Sequence, residues 1–96
     1  VYTDGAFGVA TATAIREHLA NLGSPVYFYL FAYRGTFSWS SAYGDRKRDH
    51  GVAHYDDLLY LFAQNELLFP DMALSEDDER MIDVLTSLWS NFARTG

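Results

Sequence analysis

Val26-Tyr27-Phe28-Tyr29-Leu30-Phe31-Ala32-Tyr33 is the longest uninterrupted apolar run in the chain, with Pro25 before it and Arg34-Gly35 after it. A continuous, aromatic-rich run of this length, punctuated by Pro and Gly, predicts a strand buried on both faces, as in the centre of a parallel sheet. It falls well short of the ~20 residues a membrane helix requires, so no membrane span is expected. On its N-terminal side, Ala14, Ile15, Leu19 and Leu22 recur at helical spacing, and Gly23-Ser24-Pro25 supplies both a C-cap and a stop. The spacing predicts an amphipathic helix over 11–22. A helix feeding a doubly buried strand is α/β in class, yet no second run matches the first in length or apolarity. The missing sheet neighbours, and an opening at Val1 without Met or a leader pattern, give the expectation of a segment cut from a longer chain.

The composition bounds the partners. The 96 residues are 49% apolar and 17% aromatic, which excludes intrinsic disorder and demands a packed core. Thirteen Asp and Glu against seven Lys and Arg leave a net charge of −6, the wrong sign for gripping phosphate backbones or anionic lipid. Nucleic acid is therefore not an expected partner. With no Cys, the chain has no disulfide, no thiolate zinc site and no cysteine nucleophile.

On the C-terminal side of the run, residues 35–52 form a polar and aromatic connection with turn points at Gly35, Gly44 and Gly51. It exceeds the ~15 residues at which structureless loops become unusual inside compact domains, and such loops are commonly functional. Asp56 and Asp57 precede Leu58, Leu59, Leu61 and Phe62, which predicts a short helix with carboxylates in its first turn, ending near Asn65. Ser75 followed by Glu76, Asp77, Asp78 and Glu79 is an N-cap with an acidic first turn, and Met81, Leu85, Leu88 and Phe92 continue an apolar stripe. The resulting last helix is about 28 Å long if it runs over 76–94. Gly96 then stands at a C-cap position.

Candidate chemistry centres on the histidines. His18 falls within the first helix, where a partly exposed structural role is the ordinary one. His50 and His54 lie on the long loop between the apolar run and the next helix, the kind of place where catalytic groups concentrate. A metal site built from His50, His54 and Asp56 or Asp57 is disfavoured because Gly51 breaks the helix that would align the imidazoles, and the acidic first turn lacks EF-hand spacing. No metal and no cofactor are expected. Arg46-Lys47-Arg48, flanked by Asp45 and Asp49, reads as a solvated loop tip. No Gly-x-Ser-x-Gly elbow occurs, so a nucleophilic active site is incomplete within these residues.

Gly51-Val52-Ala53-His54-Tyr55-Asp56-Asp57-Leu58-Leu59-Tyr60-Leu61-Phe62 resembles the catalytic-histidine motif of the carboxylesterase and cholinesterase family. Asp4-Gly5-Ala6-Phe7 is similar to that family's Asp-x-x-Phe segment, and Pro25-Val26-Tyr27-Phe28-Tyr29-Leu30-Phe31 to its Pro-Val-Tyr-x-Tyr-x-Phe strand. Trp89-Ser90-Asn91-Phe92-Ala93-Arg94-Thr95-Gly96 resembles its Trp-x-x-Phe-Ala-x-Thr-Gly signature. The motifs come in the family's order and cover essentially the whole chain. They correspond to the C-terminal part of a family member, whose fold is the α/β hydrolase.

That resemblance implies one domain part over 1–96: a helix, a buried central strand, a His loop and C-terminal helices. Chain order in such hydrolases is Ser, then acid, then His, so the Ser, the acid and the oxyanion hole are expected upstream. His54 is then the implied general base, and Asp56 and Asp57 are assigned to the start of their helix. Cholinesterases usually carry Gly after the His and a Cys near the position of Val9. Tyr55 and Val9 depart from that pattern, and His54 followed by Tyr55-Asp56-Asp57, with Leu88-Trp89 and the closing Phe92-Ala93-Arg94-Thr95-Gly96, looks more like insect-type esterases, including juvenile hormone esterases. The expected activity is hydrolysis of small-molecule carboxylic esters through an acyl-enzyme, in a secreted or extracellular protein. The alternative is a cholinesterase-like adhesion or interaction domain that has lost catalysis. The 96 residues by themselves are expected to be inert and marginally stable, because an unpaired aromatic strand exposes an adhesive edge. Phe37, Trp39 and Tyr43 are candidates to border the site.

Overall fold

In a computed structural model of the chain, residues 3–62 and 64–96 are described. They form two compact units that divide between Leu30 and Phe31.

The first unit is a π-helical turn, Asp4–Gly8, running directly into α1, Val9–Asn21. The expected helix over 11–22 is thus present, with a longer N-terminal end. It stops where Leu22 turns extended and donates its N–H to the His18 carbonyl at 2.8 Å, just ahead of Gly23-Ser24-Pro25. None of its described residues is buried.

The expected buried strand over 26–33 does not form, and with it the α/β arrangement is overturned: the described residues contain helices and no strand. Tyr27, Phe28, Tyr29 and Leu30 are 64%, 65%, 47% and 77% exposed, not buried on both faces. The physical reason lies in what a strand is. Its backbone groups are satisfied by a neighbour about 4.8 Å away, and no other described segment supplies one. Apolar character alone does not supply a ladder. The run is also divided between the two units, because Phe31 and Tyr33 pack into the second.

The second unit holds α2 (Trp39–Ala42), α3 (Asp56–Leu61), α4 (Asn65–Leu68) and α5 (Glu76–Thr95). The helix expected from Asp56 to near Asn65 ends sooner, at Leu61, with Phe62 already extended, and a separate turn of helix, α4, begins at Asn65. Its core is Phe37, Leu59, Tyr60, Phe69 and Leu85, with Phe31, Tyr33, Met81 and Ile82 among the residues packed around it. On α3 the buried residues are Asp56, Leu59 and Tyr60, and on α5 the corresponding face carries Asp78, Met81, Ile82 and Leu85. Both sets follow the i, i+3, i+4 rule of one helical face, and the two helices pack together. Phe37 and Phe69 pack ring to ring at 5.2 Å, and Tyr60 meets Tyr33 edge-on at 5.4 Å.

One buried carboxylate organises this core. Ser75 and Asp78 form a reciprocal capping box at the start of α5. The Asp78 carboxylate also accepts from the Thr36 N–H, the Thr36 hydroxyl, the Tyr33 hydroxyl at 3.0 Å and the Tyr60 hydroxyl at 3.3 Å. Burial pushes its pKa up, but the hydrogen bonds from Thr36 and Ser75 outweigh burial and hold it well below the usual carboxylate range. The Tyr60 hydroxyl is pushed far up, by burial first and then by the Asp78 charge. Gly35 leaves the space this network needs, since a Cβ there would run into the Tyr60 hydroxyl and the Asp78 carboxylate.

Candidate active site

His54 stands on the turn that leads into α3, and it is exposed. Gly51, with φ of 71°, turns the chain toward it. Tyr55, directly after it, is left-handed as well, with φ of 71°, which is unusual for a side chain of that size. The His54 and Tyr55 rings lie with centroids 3.8 Å apart. The turn is closed across His54 by the Asp56 N–H donating to the Ala53 carbonyl at 3.1 Å.

The loop over 35–52 is more ordered than its composition suggests. Ser38 caps α2 by accepting from Ser40 N–H, giving the long connection one helical turn of its own. Farther on, the Asp45 carboxylate accepts from the N–H groups of Lys47 and Arg48 at 3.2 Å and pairs with His50 Nε2 at 2.7 Å. Its pKa is lowered, foremost by the His50 hydrogen bond. Asp49 takes the Gly51 N–H at 2.8 Å and Arg34 Nε at 3.2 Å, which hold its pKa down, the Gly51 bond first. Arg46-Lys47-Arg48 therefore sits on an exposed turn organised by acids.

The candidates separate accordingly. His18 is exposed on α1, its Nδ1 at 2.7 Å from the Ala14 carbonyl. His50 is committed to Asp45, and no group of three or more His, Cys, Asp or Glu suited to a metal occurs among the described residues. Phe37 is a core residue at 1% exposure, whereas Tyr43 is 86% exposed with its ring 6.1 Å from that of Trp39.

Asp56 carries more than a helix start. It is 2% exposed, and its two carboxylate oxygens accept from different segments: Oδ1 from the Trp39 N–H and Oδ2 from the Ala53 N–H, each at 2.8 Å. The indole Nε1 of Trp39 donates in turn to the Tyr55 carbonyl at 3.1 Å. Sequence reading missed this clasp, because the two bonds made by Trp39 join residues 16 and 17 positions apart and nothing in local spacing encodes them.

A family model described as "Carboxylesterase family" matches residues 1–96, and the chain belongs to that family. It is similar to Esterase E4 of Myzus persicae, at 28% identity over 98% of this chain and 17% of that protein. It is also similar to Juvenile hormone esterase of Tribolium castaneum, at 31% identity over 100% of this chain and 17% of that protein. Neuroligin-2 of Homo sapiens is 34% identical over 92% of this chain and 10% of its own length. The chain thus spans about a sixth of the length of the esterases it matches. No solved structure matches it. No helix of the described residues is long and apolar enough to cross a membrane.

Proposed function

We propose that these residues supply the general base of a serine carboxylesterase, and that His54 is that base. The observation that carries the reading is an exposed imidazole on a turn fixed on both sides, in a chain that belongs to the carboxylesterase family. Imidazole accepts and returns protons near neutral pH, which is what acyl transfer through a hydroxyl nucleophile requires. His54 takes the proton from a serine hydroxyl as its oxygen bonds to the ester carbonyl carbon. It gives that proton to the departing alcohol oxygen as the ester C–O bond breaks, leaving an acyl-enzyme. A water molecule, deprotonated by His54, then attacks the acyl carbon, and the serine oxygen recovers the proton as the acid product leaves. The serine, the acid that orients His54 and the oxyanion hole belong to other parts of the full-length protein. Its substrates are small carboxylic esters, and the 96 residues alone are inert.

Hydrolysis of a short-chain nitrophenyl ester by the full-length protein and its His54→Ala variant tests this. The expected outcome is a loss of about a thousandfold or more in kcat. Undiminished turnover in the variant overturns the reading. A second reading, a non-catalytic interaction domain, is favoured by the similarity to Neuroligin-2, whose name states no hydrolytic activity. It gains if the folded wild-type protein turns over no ester.

A further inference from the structure

Asp56 is a buried carboxylate whose placement the assigned chemistry does not use. Taking a carboxylate out of water is costly unless hydrogen bonds compensate, and here both oxygens are spent on backbone N–H groups. The Ala53 bond reaches back three residues, as the second half of a capping box does, but the Trp39 N–H belongs to a distant segment, so local capping accounts for only one of the two. One donor, Ala53, immediately precedes His54. The other, Trp39, begins α2 and reaches back through its indole to the carbonyl of Tyr55, which immediately follows His54. The backbone on both sides of His54 is therefore tied to a single pair of residues. Tyr55 is meanwhile held left-handed, a conformation that persists only where the surroundings over-determine it and that clusters at functional positions.

We infer that Asp56 and Trp39 are positioning residues for His54, a clasp that fixes the backbone carrying the imidazole while leaving the ring open to solvent. Both oxygens of one carboxylate are required as acceptors, because Asn in the same place would satisfy one N–H with its carbonyl and present its own NH₂ to the other. This inference rests on the reading of His54 as the general base. The clasp acts on the chemical step: displacement of a catalytic group by about 1 Å costs up to about a hundredfold in rate, whereas ester binding is left to other surfaces.

The test is steady-state hydrolysis of nitrophenyl acetate by the full-length protein carrying Asp56→Ala, Asp56→Asn or Trp39→Phe, each made alone and in a His54→Ala background. Asp56→Ala is expected to lower kcat about ten- to a hundredfold with KM changed less than about twofold, and Asp56→Asn to recover part of that loss. Trp39→Phe keeps an aromatic ring and the backbone N–H and removes the indole donor together with part of the ring's bulk, so a loss of about threefold in kcat is expected. In the His54→Ala background the residual turnover is expected to be unchanged by any of them, because a clasp has nothing left to position. Wild-type kcat in folded Asp56→Ala overturns the inference, and so does an equal fractional loss in the His54→Ala background. Should Asp56→Ala fail to fold, an unchanged kcat in Trp39→Phe overturns it. If His54→Ala is itself fully active, the reading of His54 as the base is what has failed, and the clasp falls with it.

Discussion

The two units of this chain both contain a helix with apolar residues at helical spacing, and they treat those residues in opposite ways. Along α1, Leu19 is 60% exposed, and no described residue of the first unit is buried. Along α5, Leu85 is 3% exposed, and the face that bears it packs with α3. Periodicity specifies that a helix will form, but burial requires a complementary surface. In the second unit that surface is supplied by the aromatic residues and by Leu59, and it is pinned by a polar network centred on Asp78. Helices of this length are marginal without tertiary packing, so the stability of the chain is concentrated in residues 31–96.

The largest effect expected is at Asp78. Asp78→Ala strips the acceptor from Thr36, Ser75, Tyr33 and Tyr60 together, and a cost of about 3 kcal/mol is expected from breaking this network and stranding the buried Tyr60 hydroxyl. Urea denaturation followed by tryptophan fluorescence reads it, since Trp39 and Trp89 both lie in the second unit. The same group fixes a pH dependence. A carboxylate with a depressed folded pKa stabilises fully above its unfolded value near 4, and that contribution fades as pH falls from about 5. Tyr60 works in the other direction. Its raised pKa favours the protonated hydroxyl, so its contribution is intact below about pH 10 and is lost as pH rises beyond that. The urea midpoint should be flat between those limits and fall on both sides. In Asp78→Ala the acid-side fall due to this group disappears, and a persisting one of equal size would assign it elsewhere.

A matched apolar deletion comes next. Leu59 is 1% exposed, and Leu59→Ala removes its side chain from a closed core, for an expected loss of about 3 kcal/mol in the same measurement. A loss below about 1 kcal/mol would mean that the second unit is loosely packed and that its contrast with the first is one of exposure alone.

A smaller effect is expected beside His54. Tyr55 occupies left-handed backbone, where a β-branched residue is least tolerated, so Tyr55→Val should cost about 1 kcal/mol relative to Tyr55→Gly. The difference between these two variants, read by urea denaturation, isolates backbone strain from loss of the Tyr55 ring. Tyr55 stands where the cholinesterase pattern has Gly, and its backbone holds a conformation that Gly favours. What was legible followed local chemistry: α1 and its stop at Gly23-Ser24-Pro25, the Ser75 cap and acidic start of α5, and the place of His54 on the connection between them. What was not legible depended on partners distant in the chain. The run over 26–33 reads as a buried strand because apolarity indicates a need for burial, but a ladder needs a second segment, and the described residues offer none. Asp56 does start α3, as its place before Leu58 and Leu59 indicates, but its bond to Trp39 was hidden because Trp39 is 17 residues away and only the folded chain brings the two together.

The smallest effect is expected where the same deletion is made in the first unit. Leu19→Ala removes the same atoms as Leu59→Ala, but from a side chain already 60% in solvent, and it places a better helix former in α1. Lost burial and gained propensity are each a few tenths of a kcal/mol and of opposite sign, so the net change should stay within about 0.5 kcal/mol. Amide hydrogen exchange over residues 9–21 measures it locally, where protection should change by less than about threefold. A change of tenfold or more would mean that Leu19 is buried in the folded protein by a surface outside these residues. In that case the contrast between the units would belong to the isolated segment, with α1 acquiring in the full-length protein the partner that α3 already gives α5 here.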